Sequence, residues 1–70
     1  MKLDEFLKTA DQDERSRVAD EAGTSVAYLY QIAGGHRKPS TDLAKKIAAA
    51  TKPPYKVGKA DLLPDVWGAQ

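Results

Sequence analysis

Ala27, Tyr30 and Gln31 stand at i, i+3 and i+4, so a helix through them carries all three on one face. That face offers apolar and hydrogen-bonding groups but no Lys, Arg, Asp or Glu. A helix face left simply to water usually carries such charges. Reading base edges in a duplex groove calls for the other kind of surface: shape, methyl contacts, and neutral donors and acceptors. Val26 and Tyr28 flank the stripe, while Leu29 and Ile32 share the opposite side, suited to a core. Bases surround it in sequence, Arg15 and Arg17 before and His36, Arg37 and Lys38 after. Phosphates at a groove's edge call for cations so placed, with sequence read between them. The plainer alternative is a solvated helix followed by a common basic loop.

Seventy residues make one domain with a modest core, whose stability can depend on self-association. There is no cysteine and one histidine, His36, so neither a disulfide framework nor a thiolate or multi-histidine metal site can be assembled, and no Cys–His nucleophile is available. No catalysis, cofactor or metal is expected. The stretch MKLDEFLKTADQ carries acids where a secretory signal needs an apolar run, and no segment approaches a membrane span, so a soluble cytoplasmic protein is expected. Net charge is only +1, but it is unevenly spread. Residues 1–24 hold seven acids against four bases, whereas residues 36–59 hold seven bases against Asp42 alone.

The elements that position this chemistry are helices. Leu3, Phe6 and Leu7 give a short amphipathic helix over residues 2–9. Asp11 and Glu14 have capping-box spacing and open a second helix, about Gln12 to Ala22, ended by Gly23. Thr24 or Ser25 caps the third, which Gly34-Gly35 stops. Ser40 caps a fourth, with Leu43, Ala44 and Ile47 inward, ending near Ala50 before Pro53-Pro54. Beyond it, residues 60–63 read as one helical turn stopped by Pro64, or residues 55–57 as a short strand. The fold class is therefore all-α, a compact four- to five-helix domain with a short irregular tail; the alternative is α+β with a C-terminal hairpin. The helical core spans residues 1–52. Residues 53–70 form a tail, apolar at Val57, Leu62, Leu63, Val66 and Trp67, that is expected to be separable and to mediate dimerisation. The alternative is that Leu62 and Trp67 fold back to cap the chain's own core; for Trp67 the choices are closing the core or a dimer contact.

Arg15 to Gly34 resembles the twenty-residue helix-turn-helix of phage repressors and Cro proteins, with Ala19 at the small-residue crossing, Gly23 in the turn, and Leu29 and Ile32 as apolar anchors. The segments AGTSVAYLYQIAGGHRKPS and LLPDVW are similar to prophage YdaS-type proteins of that family, and the likeness covers residues 3–67. It implies a lambda-repressor-like fold and a sequence-specific, repressor-like transcriptional regulator with Ser25–Ala33 in the major groove. It implies base contacts from Val26, Ala27, Tyr30 and Gln31, and phosphate contacts from Arg15, Ser25, Tyr28, His36, Arg37 and Lys38. Val26 and Ala27 depart from the family by offering only methyl contact, as to thymine; the Gln31 amide can pair with adenine. The implied partner is a double-stranded operator bound by a homodimer, its recognition helices about 34 Å apart. Since YdaS-type proteins are often described as antitoxins, the alternative is an interaction module that sequesters a partner protein.

Overall fold

The computed structural model describes residues 1–67, apart from the side chains of Asp65 and Trp67. The expected role of the Trp67 ring therefore lies outside the described residues. Helices run α1 (Leu3–Thr9), α2 (Gln12–Ala22), α3 (Val26–Ala33) and α4 (Thr41–Ala50), followed by single turns α5 (Lys59–Leu62) and α6 (Pro64–Trp67). The protein is all-α, and no strand occurs among the described residues. No helix there is long and apolar enough to cross a membrane.

Local chemistry sets the boundaries. Asp11, Ser25 and Ser40 each accept a hydrogen bond from the backbone N–H three residues on, at 2.8, 3.1 and 3.1 Å, satisfying donors that a helix start leaves unpaired. The capping box at Asp11 is only half built, because the Glu14 carboxylate turns to Arg17 instead. α2 ends where Gly23 takes φ 74°, a left-handed conformation that a side chain strains. The Gly23 and Thr24 N–H groups then donate back to Asp20 and Ala19, the paired pattern of a Schellman turn. α3 ends the same way: Gly35 sits at φ 81°, and Gly35 and His36 donate to Ile32 and Gln31.

α2 and α4 pack on each other, α1 packs on α3, and α3 also touches α2. Phe6, Val18, Leu29 and Ile47 are fully buried at their centre. Val57, Leu62 and Leu63 belong to the same core, and the Phe6 and Tyr55 rings meet edge to face at 6.3 Å. Of the two readings of the tail, the structure has the one that folds back: the segment after Pro54 returns to close the core instead of projecting separately, so the expected boundary at residue 53 does not hold. The strand alternative fails with it. The Val57 N–H bonds the Thr51 hydroxyl at 3.0 Å rather than a ladder partner. Thr51 is itself buried, and its hydroxyl also reaches the Ala48 carbonyl at 3.0 Å. Lys56 Nζ donates to the Ala48 and Thr51 carbonyls, closing the end of α4.

Thr51→Val keeps the shape but leaves the buried Val57 N–H unpaired, so urea unfolding should show a loss of about 1–3 kcal/mol; Thr51→Ser should retain most of it. A chain cut after Lys52 should show no cooperative transition, whereas a separable tail would leave one intact.

A candidate nucleic-acid interface on α3

α3 is eight residues long and buries only one side. Leu29 is fully buried, and Val26, Ile32 and Ala33 pack partly against the core. With about 100° between successive residues, the direction opposite Leu29 belongs to Ala27 and Gln31, and both are exposed. Tyr28 and Tyr30 stand at the two edges, half-buried and 51% exposed respectively. The outward surface is thus Ala27 and Gln31 between two phenols. Val26, grouped with that face from the sequence, leans instead on the core, because it lies near Leu29 and Ala33 around the helix.

Tyr30 borders a shallow groove with Leu7, Asp4 and Lys8 of α1 and with Ala33 and Gly34. Lys8 therefore adds an exposed cation on the α1 side of α3. Local sequence gives no hint of that position, since it depends on α1 packing across α3. Ser25 caps the helix by accepting from Tyr28 N–H, which leaves its hydroxyl proton available to an external acceptor. At the other end His36, Arg37 and Lys38 are all exposed. They leave the helix through the left-handed Gly35 turn, whose His36 and Arg37 N–H groups both point at the Gln31 carbonyl. At Gly34 an added methyl would meet the His36 imidazole at 3.0 Å, so that glycine keeps the histidine close to the helix end.

The two arginines preceding α3 are placed differently from the expected cationic rim. Arg15 Nη1 donates to the Ala10 and Leu7 carbonyls at 2.6 and 3.3 Å, capping the end of α1. Arg17 forks onto Glu14, reaches Glu21 at 2.7 Å, and donates to the Ala50 carbonyl at 3.0 Å. Arg17 is thus spent tying α2 to the end of α4, and its i, i+3 and i+4 spacing from the two glutamates is the signal that could have shown it. The hydrogen bonds from Arg17 hold the Glu14 carboxyl below its ordinary value of 4.5 against opposing desolvation, and the two glutamates push the guanidinium well up. Lys8 thus lies beside Tyr30, whereas His36, Arg37 and Lys38, exposed beyond the end of α3, line a shallow groove with Ile32 and Leu62.

Comparison with protein-family models, curated proteins and solved structures finds no match.

A carboxyl whose pKa is lowered by folding contributes stability above its unfolded value, and that contribution disappears as pH falls through the folded value. The gap in urea midpoint between the wild type and Glu14→Gln should therefore be widest near neutral pH and narrow below pH 4.5. A gap independent of pH would show that the Glu14–Arg17 pair does not govern the acid limb.

Proposed function

We propose that this chain is a cytoplasmic, sequence-specific binder of double-stranded DNA that lays α3 in the major groove and acts as a repressor-like transcriptional regulator. The observation that carries this reading is the uncharged outward face of Ala27 and Gln31, flanked by Tyr28 and Tyr30 and followed by the exposed bases His36, Arg37 and Lys38. α2 and α3 are joined by three residues, Gly23 to Ser25, the short glycine-bearing connection of a helix-turn-helix. The likeness of Arg15–Gly34 to the Cro/repressor segment agrees with that connection.

In this arrangement the Gln31 amide reads a base by a paired donor and acceptor, most simply adenine, and the Ala27 methyl meets a thymine methyl. Tyr28 and Tyr30 set the depth and tilt of the helix from its two edges. Ser25 at the start of α3, and His36, Arg37 and Lys38 after it, take phosphates and fix register without carrying sequence information. Val26 and Arg15 contribute indirectly, by seating α3 on the core and by holding the end of α1. With net charge +1, a single copy has little long-range attraction to DNA, so two copies on an inverted repeat supply the affinity.

Gln31→Ala should relax preference at one base pair by about 1–3 kcal/mol and leave the salt dependence as it was. Arg37→Ala should weaken binding to selected and random duplexes alike and lower the salt slope by about one. Titrations of labelled duplexes at several salt concentrations measure both. An unchanged base profile in Gln31→Ala, or binding by the wild type that ignores salt, would refute the reading.

A further inference from the structure

α1 lies outside the segment that the DNA reading uses, yet it carries a cation to the edge of α3. The two helices pack together, and the groove between them is lined by Asp4, Leu7 and Lys8 from α1 and by Tyr30, Ala33 and Gly34 from α3. Leu7 is buried, whereas Lys8 stands exposed in the last turn of α1 and Tyr30 is 51% exposed across the groove. Among the described residues the Lys8 ammonium is bonded to no acid. The carbonyls at the end of α1 are served by Arg15, so capping that helix does not consume Lys8.

The direction in which this groove opens follows from helix geometry. Taking Leu29 as inward, Tyr30 is turned about 100° from it, Gly34 about 140° and Ala27 about 160°, all in the same sense. The groove therefore leads from Ala33 on the core side out to the surface that holds Ala27 and Gln31. The other groove at this end of α3, with Ile32, His36 and Arg37 in its lining, begins about 60° from Leu29 in the opposite sense. A helix about 10–12 Å across fills a major groove about 12 Å wide, so each flank of the helix faces one wall of phosphates. His36 and Arg37 serve one flank, and Lys8 with Tyr30 occupies the other.

We propose that Lys8 and the Tyr30 hydroxyl together hold one backbone phosphate on the α1 flank of α3, on the strand opposite the one that Arg37 contacts. The inference rests on α3 entering the major groove, and it adds a contact from outside the helix-turn-helix. The ammonium supplies charge and the phenol a directed donor, groups that fix a protein on a duplex without reading its sequence. Asp4, four residues before Lys8 on α1, is the acid in the lining of this groove. An exposed pair at that spacing is weak, so the ammonium exchanges it readily for a phosphate. Its carboxylate nonetheless repels the duplex, and Asp4→Asn should tighten binding.

The chain has no cysteine, so a single Lys8→Cys or Arg37→Cys can carry a tethered iron–EDTA group that cuts the DNA backbone beside it. On a duplex recovered by selection with the wild type, the group at position 8 should cut one strand of each half-site and the group at position 37 the other. Salt titrations of the same duplex give an independent measure. Lys8→Ala should lower the salt slope by about one per bound copy and weaken binding roughly five- to tenfold at about 0.1 M salt; Lys8→Arg should restore both. Tyr30→Phe should weaken binding with the slope unchanged, and by less when Lys8 is already alanine, because the two side chains share one phosphate. A Lys8→Ala chain of wild-type urea stability that keeps the wild-type slope would overturn the proposal and leave the DNA reading standing. So would position-8 cleavage that is missing from the strand position 37 leaves uncut. A wild type that binds no duplex in a salt-dependent way would remove both.

Discussion

α3 exists because of two glycine turns and one buried leucine. Eight residues in isolation are well below the length at which a helix is stable in water, so something outside the helix must hold it. Leu29 supplies the tertiary anchor, Ser25 caps the start, and Gly35 in the left-handed conformation closes the end. Gly23 does the corresponding work for the preceding helix, letting the chain turn within three residues so that α3 lies against both α1 and α2. A helix anchored along one side and closed at both ends leaves its opposite side to solvent. That constraint is what makes Ala27 and Gln31 available as a surface.

The same economy governs the cations. Helix C-termini present carbonyls without intrahelical partners, and in a small all-helical protein such ends are numerous relative to the core. Here Arg15 closes α1, while Arg17 and Lys56 together close α4. These side chains work as structural staples, so they contribute to folding before they contribute to any external field. The exposed cations near α3 lie beyond its C-terminal end and on α1. The proposed binding mode is therefore lopsided, with the start of α3 held by a serine hydroxyl and its end by charge.

Much of this was legible in the sequence because it depends on local rules. Asp11, Ser25 and Ser40 announce helix starts, and Gly23 and Gly34-Gly35 announce ends, through chemistry confined to a few neighbouring residues. Leu29 and Ala27 fall on opposite sides from periodicity alone. What periodicity does not resolve is a residue near the boundary of a face: Val26 sits about 60° from Leu29 around the helix and so joins the core side. The return of residues 55–63 was legible only as an alternative, since the apolar Leu62 suits either a core or a contact with another chain. It rests on Thr51 bonding Val57 across the five residues between them and on Phe6 meeting Tyr55 from the far end of the chain. No local pattern encodes a contact between residues so distant, and a double proline suggested separation where the chain in fact turns back. The staples Arg15 and Lys56 were hidden for a different reason: each binds carbonyls five and eight residues back, which become acceptors only because a helix ends there.

The central claim is that the outward side of α3 discriminates between base sequences. It is tested most directly by selection of the full-length wild-type chain against a random duplex pool, with the recovered sites footprinted. The account predicts a recovered motif containing half-sites in inverted repeat, centred about one helical turn apart, protected in the major groove. Recovered duplexes indistinguishable in sequence from the starting pool would contradict it.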